Sequence, residues 1–297
     1  MQSYPTLSEY LKNTFNKKMV KLPIDGGFSC PNRENGNSGC LFCSEKGSGD
    51  FTFGHLSIEE QIKFQKNRYF KSGKADKNTS FIAYFQNFTN TYANSDSLKR
   101  KYDQALSCDG IKGLVIATRP DCIDDSILML LNQINQQTHL WVEFGFQTSN
   151  SHTVKIINRG YENTVFDDCI KTFNDCNIKT VAHVIFGLPF ETFEDYMNTI
   201  KHVKNQNLWG IKIHSLYIEY DSKMFEFYNE HPFDIMTMDQ YTDAVCEALK
   251  VLENQVIIHR LTGDCDKKLL FEPKWSADKL KVLSEINRKV SKKTIYT

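Results

Sequence analysis

Apolar runs alternate with amphipathic stretches along most of this chain. The apolar runs predict strands at positions 20–25, 80–86, 111–118, 139–147, 179–187 and 210–218, with a further short run at 255–261. The stretches between them predict helices at about 57–70, 95–106, 123–136, 163–176, 191–206 and 237–253. The first of these helices begins at Ser57, and Glu60 three residues later completes the pattern of a capping box. Strand–helix alternation is typical of a parallel sheet that is covered by helices.

The number of strand–helix units limits the architecture. Six units are too few for a closed barrel of eight, so the pattern favours an α/β fold, a partial (β/α)6 TIM-like barrel. A doubly wound open sheet is the alternative. No Pro- or Gly-rich linker divides the chain, which predicts one core domain at 1–255 and a short C-terminal extension at 256–297. In either architecture we expect functional groups at the carboxyl ends of the strands.

Composition narrows the class of protein further. The 297 residues carry 36 Lys and Arg against 36 Asp and Glu, so overall charge gives no support for nucleic-acid or membrane binding. The first residues lack the apolar segment of a secretory signal, and no run of 18 apolar residues suggests a membrane span. We therefore expect a cytoplasmic protein with reduced thiols, in which clustered cysteines more often indicate a metal site than a disulfide.

Three cysteines share one loop that is rich in Gly, Asn and Ser. Cys30, Cys40 and Cys43 have the spacing C-x9-C-x2-C directly after the first predicted strand, and Phe42 precedes the last of them. Three thiolates can hold three irons of a [4Fe–4S] cluster and leave the fourth iron open to a small molecule. The alternative is a structural zinc site with His55 as fourth ligand, although no second C-x2-C or H-x3-H pair follows.

With these motifs the chain resembles radical S-adenosylmethionine (SAM) enzymes, whose usual signature is C-x3-C-x2-C with an aromatic residue before the last cysteine. Six extra residues separate the first two cysteines here, as in the YhcC/YtqA-like radical SAM proteins. The resemblance to that family runs along almost the whole chain, through GGFSCPNR, AYFQNFTNTYA, IATRPDC, WVEFGFQT, INRGY, HVIFGLPFET, GIKIHSLY and VIIHRLTGD. The segments TRPD, INRG and GLP also resemble the radical SAM subunit of Elongator, which modifies wobble uridine in tRNA.

The resemblance implies a [4Fe–4S] cluster on the three cysteines, in the loop at 26–50, and SAM on the open iron with its adenine near Phe42. Reductive cleavage of SAM to a 5′-deoxyadenosyl radical would then need an electron from a partner such as flavodoxin or ferredoxin. Residues near the strand ends are further candidates to bind SAM: Gln86, Arg119, Gln147, Arg159, Ile185 and Gly187. Gln86 stands where many family members carry a carboxylate for the SAM amine, with Asn87 and Thr89 as neighbours of similar potential.

Some of these candidates have a structural alternative. Arg119 could pair with the SAM carboxylate, with a substrate anion or simply with nearby Asp121. Gly187 could let backbone approach the adenine, or it could only turn the chain at the end of a strand. Glu143, Gly145 and Gln147 share one face of the fourth strand by alternation, and polar groups on an inward face suggest a functional interior. We expect Gln147 at the SAM ribose, whereas Glu143 could equally form a buried structural hydrogen bond.

The substrate is less constrained. His214, Tyr217, His259 and Arg260 lie near the last strand ends and are substrate-side candidates, although a lone histidine on a strand is more often a core residue. Segment 274–297 carries seven Lys and Arg against two acidic residues, and segment 1–23 carries four Lys against one Glu. Both termini could follow the phosphates of an RNA, or could be ordinary solvated surfaces.

The resemblance implies action on the wobble uridine of tRNA, with a 5-carboxymethylaminomethyl group on (2-thio)uridine processed towards the aminomethyl form. Arg119, Arg159 or Arg260 could hold its carboxylate. The alternatives are a radical SAM enzyme that acts on a small metabolite and a non-catalytic metal-binding barrel. The other six cysteines are scattered, so we expect no second cluster, and no residue is assigned to the final hydrogen-atom transfer.

Overall fold

Seven parallel strands form the main sheet of the protein, in a computed structural model that describes residues 4–34, 36, 37, 39–44 and 52–294, with side chains to residue 291. The strands of the described residues are β1 (Met19–Ile24), β2 (Ser80–Phe85), β3 (Ile111–Thr118), β4 (His139–Gln147), β5 (Lys179–Phe186), β6 (Gly210–Ser215), β7 (Ile218–Glu219), β8 (Ile257–Arg260) and β9 (Leu270–Glu272). The sheet order is β1-β2-β3-β4-β5-β6-β8, and β7 pairs with β9 in a separate antiparallel ribbon. All seven strands therefore end at the same edge of the sheet.

Helices alternate with these strands along the chain. In the described residues they are α1 (Leu7–Phe15), α2 (Ile58–Lys71), α3 (Ser95–Leu106), α4 (Asp125–Gln137), α5 (Ser151–Ile156), α6 (Asn163–Asp175), α7 (Phe193–Asn205), α8 (Lys223–Glu230), α9 (Met238–Leu252) and α10 (Lys279–Thr294). The six predicted helices are confirmed with ends within two residues, whereas α1, α8 and α10 were not predicted. Within the described chain, every helix is too short or too polar to cross a lipid bilayer.

The two faces of the sheet have different surroundings. On the outer face Phe85, Ile116 and Phe144 are completely buried in the main core, against the helices. On the inner face Ile82, Trp141 and other apolar residues pack against Leu7 and Leu11 of α1. Helix α1 thus closes the amino ends of the strands, and the inner face is left accessible at their carboxyl ends.

The sheet is curled into a partial barrel, as predicted. In a flat sheet each edge strand would lie about 14 Å from the central strand β4, because neighbouring strands are about 4.8 Å apart. Yet Lys21 on β1 and His259 on β8 both approach the carboxylate of Glu143 on β4, at 4.0 and 3.9 Å. Neither a lysine nor a histidine side chain spans such a distance, so the two can meet one residue from opposite edges only if the sheet wraps around it.

Candidate functional site

A cavity occupies the open end of the barrel, at the carboxyl ends of the strands. Twelve of the residues that the sequence predicts for the site line it: Cys30, Cys40, Phe42, Cys43, Gln86, Arg119, Gln147, Arg159, Ile185, His214, Tyr217 and Arg260. Thr89, Glu143 and Gly145 also line it. The fold therefore brings residues from eight separate segments of the chain to one place.

The cysteine loop, residues 26–44 of the predicted loop, is fastened to the turn after α5. The Leu41 N–H donates to the Ile157 carbonyl at 3.0 Å, and the Asn158 side chain donates to the Gly39 carbonyl at 2.9 Å. Gly39 has a φ of +81°, which a glycine adopts without strain. Residues 45–50 of the predicted loop lie outside the described residues.

The thiols of this loop are suited to a metal cluster, in which each thiolate binds a different iron. Burial and the neighbouring Cys43 raise the pKa of Cys40 to about 12, so that a bound metal would be needed to hold it as a thiolate. The Asn32 side chain also donates a hydrogen bond to the Cys40 sulfur at 3.4 Å, an interaction that tunes cluster potentials.

The zinc alternative finds no support in the described residues, where no three His, Cys, Asp or Glu side chains are grouped to hold a single metal ion. A zinc ion needs its ligands at 2.0–2.3 Å from one point, whereas thiolates of a cluster bind different irons. His55, the proposed fourth ligand, packs edge-on against Phe53 with ring centroids 6.4 Å apart, and it does not line the cavity.

Arg119 lies at the end of β3, on the same side of the cavity as the cysteines. Its guanidinium makes a bidentate ion pair with Asp121, at 2.9 and 2.8 Å, and donates to the Arg159 carbonyl at 2.8 Å. The anticipated pair with Asp121 is thus present. The guanidinium also forms a side-chain hydrogen bond with Cys122, and it lines the cavity, where an anion can approach it.

Arg159 has a different role. Its side chain is buried, and its five hydrogen bonds go to the carbonyls of Phe146, Thr148 and Tyr161 and to the side chain of Asn163. Because these bonds use all of its N–H groups, we reinterpret Arg159 as a residue that fixes the turns after β4 and α5. It does not have the spare donors that the predicted contact with the SAM carboxylate needs.

Two lining residues adopt a strained backbone. Gln147 has a φ of +63° where β4 ends in an irregular register with β5, and Phe88 has a φ of +57° after β2. Residues other than glycine and asparagine seldom take these values, and such strain is concentrated at functional sites. Glu143, Gly145 and Gln147 all line the cavity, as the alternation predicts.

Two predicted site residues are not brought to the cavity. Gly187 has a φ of +88° and turns the chain after β5, which is the structural alternative. A Cβ added at this position would lie 3.3 Å from the Met236 sulfur. His259 is fully buried beneath the cavity, with its ring edge-on to Trp209 at 4.9 Å. Neither position suits a direct contact with SAM or a substrate.

Below the cavity, the Glu143 carboxylate is the centre of a buried polar network. It accepts hydrogen bonds from Tyr84 Oη at 2.7 Å and from Trp141 Nε1 at 3.0 Å. The ring of His183 lies 2.9 Å away, and the ammonium of Lys212 is in direct contact with the carboxylate. Glu143 therefore has the buried structural role that the sequence left open, while it also faces the cavity.

The charges of this network shift its titration. Burial alone would raise the pKa of Glu143, but the ammonium groups of Lys212 and Lys21 hold it well below its usual range. Burial lowers the pKa of Lys212 to about 7, against the opposing effect of Glu143. Burial and Lys212 together lower the pKa of His183 to about 4. At neutral pH the network thus holds an ionised carboxylate and a neutral imidazole.

Sequence reasoning did not assign Tyr84, His183 or Lys212 to the site. The signal for Lys212 was present, since a lysine in the middle of the apolar run GIKIHS is unusual for a parallel strand. The register between the strands could not be predicted from the sequence. In this register Gly145, His183 and Lys212 are neighbours across β4, β5 and β6.

Comparison with known proteins identifies the family. Residues 30–203 match the model of the radical SAM superfamily, and residues 208–292 match that of the radical SAM C-terminal domain. The chain is 37% identical to YtqA, an uncharacterized protein of Bacillus subtilis, over 99% of this chain and 91% of YtqA. It is 32% identical to the protein YhcC of Escherichia coli, over 94% of this chain and 89% of YhcC.

Among solved structures, the archaeal Methanocaldococcus infernus Elp3 has the same fold. It superposes with a TM-score of 0.69 at 12% identity over 92% of this chain, and the chain spans 63% of that Elp3 chain. This chain therefore belongs to the radical SAM superfamily, whose enzymes use a [4Fe–4S] cluster together with SAM, and within it to the group that contains YtqA and YhcC.

Proposed function

We propose that this protein is an enzyme that cleaves SAM reductively in the cavity and uses the radical to modify the wobble uridine of tRNA. The observation that carries the first part is the convergence of Cys30, Cys40 and Cys43 with polar groups from the strand ends. When bound, the cluster and SAM supply a 5′-deoxyadenosyl radical that can remove a hydrogen atom from an unactivated carbon. The protein contributes binding, orientation and exclusion of water.

Roles for the SAM-binding residues follow from their positions. We assign the three cysteines to the cluster and Phe42 to one side of the adenine, with Ile185 as an apolar neighbour. Arg119 is the better candidate for the SAM carboxylate, because it lines the cavity beside the cysteines and the donors of Arg159 are all engaged by the protein. Gln86 and Gln147 are amide groups that can hydrogen-bond the amine and the ribose.

The proposed substrate group is the 5-carboxymethylaminomethyl arm of (2-thio)uridine, which would be converted towards the aminomethyl form. This proposal rests on the resemblance to the YhcC/YtqA-like and Elongator proteins, since a shared fold alone does not identify a substrate. A tRNA base would have to leave its stack to enter the barrel. A flavodoxin or ferredoxin is the proposed source of the electron.

The basic termini give this proposal less support than their composition suggested. Lys21 points to Glu143 inside the barrel, and Lys289 is held by Asp239 and Asp243 on α9. Arg288 pairs with Glu285. This internal pairing removes positive charge from the surface and favours the second candidate, a radical SAM enzyme whose substrate is a small metabolite.

The first test concerns the chemistry. Protein purified without oxygen should be brown, with absorbance near 400 nm, and should release 5′-deoxyadenosine and methionine from SAM after reduction. Zinc in place of iron, or a cluster whose spectrum does not respond to SAM, would support the non-catalytic barrel instead.

The second test concerns the substrate. We expect deletion of the gene to change the wobble nucleosides, with 5-carboxymethylaminomethyl forms accumulating in tRNA hydrolysates analysed by mass spectrometry. Complementation with the wild-type gene should restore the profile, and complementation with a Cys43→Ala gene should not. Unchanged wobble uridines in the deletion strain would favour the small-metabolite reading.

A further inference from the structure

The cysteine loop follows β1, at one edge of the sheet. At the end of the cavity near the other edge, three basic or imidazole side chains lie side by side on β5, β6 and β8. His183 on β5 is in register with Lys212 on β6, and Lys212 is in register with Arg260 on β8. Residues in register on neighbouring parallel strands point to the same face, here the inner one. His183, Arg260 and the nearby His214 line the cavity.

Polar atoms at this end lack partners within the protein. Nε2 of His183 faces the carboxylate of Glu143. Because an ionised carboxylate can only accept a hydrogen bond, Nε2 carries the proton and Nδ1 of His183 is unprotonated. Among the described residues, this Nδ1 has no hydrogen-bond partner, and neither has Nε2 of His214. The guanidinium of Arg260 makes no hydrogen bond to the described residues and lies 3.8 Å from Asp264.

In formal charge this end is slightly positive. Lys21, Lys212, Arg260 and Lys279 are set against the three carboxylates of Glu143, Asp264 and Glu219. Asp264 contacts Lys279, and Glu219 accepts from the Asp266 N–H. The remaining groups are neutral: Tyr84 and His259 in the network, and His214 beside His183 at 5.5 Å between ring centroids.

A cation placed at this end is therefore disfavoured. Burial is the main reason that the pKa of His183 falls to about 4, and the positive charge of Lys212 adds to it. The pKa of His214 is also held well below its usual range, by burial first and then by His183 and Arg260. An anion or a neutral base fits this position better than a second ammonium group.

The three arginines considered for a substrate carboxylate can now be separated. Arg159 has all five donors engaged by the protein, and Arg119 is clamped by Asp121 on the cysteine side of the cavity. Arg260 alone of these three faces the other end, and within the described residues its guanidinium makes no hydrogen bond, only an ion-pair contact with Asp264 at 3.8 Å. A planar guanidinium of this kind binds a carboxylate through two parallel hydrogen bonds.

Accepting the proposed function, we propose that this end of the cavity binds the –NH–CH2–COO⁻ arm of the substrate with its carboxylate on Arg260 and its amine, in the neutral form, on Nδ1 of His183. The amine donates its N–H to the imidazole, and the proton that it carries in solution leaves to solvent on binding. No bond other than this N–H bond breaks. A nitrogen that keeps its lone pair stabilises a radical on the adjacent carbon, whereas an ammonium cannot.

The test uses binding to the cluster-loaded protein with SAM, without reductant. Two anticodon stem–loops are titrated by calorimetry, one with 5-carboxymethylaminomethyluridine and one with unmodified uridine at the wobble position. Alkylammonium groups are mostly protonated at pH 7, so the modified loop should release about one proton on binding, measured in buffers of different ionisation enthalpy. Its affinity relative to the unmodified loop should rise up to about tenfold per pH unit between pH 6 and 8.

Variants assign the two contacts. Arg260→Gln should reduce the preference for the modified loop at least tenfold and leave the affinity for the unmodified loop unchanged. His183→Gln should weaken the preference several-fold. The matched controls Arg100→Gln and His152→Gln change exposed side chains outside the cavity and should bind both loops as the wild type does.

The possible results are separable. If the wild-type protein does not distinguish the two loops, the proposed substrate is wrong and this inference falls with it. If it prefers the modified loop but releases no proton, or if Arg260→Gln keeps the full preference, the substrate stands and the binding mode proposed here is wrong. Melting curves of each variant exclude loss of folding as the reason for weak binding.

Discussion

The outer and inner faces of the sheet come from the same strands but differ in their chemistry. Phe144 faces the helices and is buried among apolar side chains, whereas Glu143, one residue earlier, faces the barrel and is buried among charges. An apolar side chain on the outer face contributes about 1.5–3 kcal/mol through burial. A buried ion pair contributes little net stability, because desolvation offsets its attraction. The comparison teaches that the outer face maintains the fold, while the inner face is kept polar for function.

Among the variants that distinguish the inner face from the outer face, the largest effect is expected in the cysteine loop. Cys43→Ala should abolish both iron binding and SAM cleavage and leave the apo-protein folded, because the cluster would lose one of its three ligands. Iron analysis and release of 5′-deoxyadenosine measure the loss. Cys176→Ala removes a thiol from the outer side and should keep the iron. Retained SAM cleavage in Cys43→Ala would refute the ligand assignment.

Phe144→Ala tests the opposite face. The cavity that it leaves in the main core should cost about 3–5 kcal/mol of unfolding free energy, measured by denaturant titration of the apo-protein. The folded fraction should still bind iron normally. Phe193 is 51% exposed, so Phe193→Ala should change stability by less than about 0.5 kcal/mol. Similar losses in the two variants would mean that packing on the outer face does not carry the stability.

The Gly160→Ala variant tests whether the backbone at Gly160 affects iron binding by the cysteine loop. Gly160 has a φ of +83°, and an added Cβ would lie 2.7 Å from the Asn32 side chain, which bonds the Cys40 sulfur. Gly73 has a φ of +67° and open space around it, so Gly73→Ala is a control for backbone strain alone. Both variants should lose about 1–2 kcal/mol, but only Gly160→Ala should bind less iron. Equal iron contents would show that Asn32 can move without harm to the site.

The last prediction concerns pH. The pKa of His183 is about 4 in the folded protein and about 6.5 when unfolded, so between these values the unfolded state binds more protons. The unfolding free energy should therefore fall as pH is lowered from 6.5 to 4, by up to about 1.4 kcal/mol per pH unit from this group. His183→Gln should reduce that slope, and exposed His152→Gln should not. An unchanged slope in His183→Gln would mean that His183 is not held neutral.

The helices and strands were predictable where local signals are strong. The Ser57 hydroxyl accepts from the Glu60 N–H and the Glu60 carboxylate accepts from the Ser57 N–H, so the capping box places the start of α2 as the sequence predicts. Helix α1 was missed although Thr6 caps it and its pattern is amphipathic. It has only nine residues, a length at which a helix is marginal by itself, and its position depends on packing against β1 and β8. The run at 210–218 was predicted as one strand, but it divides into β6 and β7.

The positions of the site residues were predictable from the sequence, but their hydrogen-bond and ion-pair partners were not. Strand ends correctly located Gln86, Arg119 and Gln147, because the carboxyl ends of parallel strands share one edge. The engagement of Arg159 and the convergence on Glu143 depend on register and on the curl of the sheet. Neither can be read from spacing along a single chain.

The N-terminal segment has a consequence for how a large substrate reaches the radical. The Ile258 N–H donates to the Pro5 carbonyl, and α1 contacts both β1 and β8, the two edges of the open barrel. One short segment thus bridges the gap between the edges and fixes the distance between them. A ligand of the cavity therefore cannot enter between the two edges at that level and must approach along the axis of the barrel.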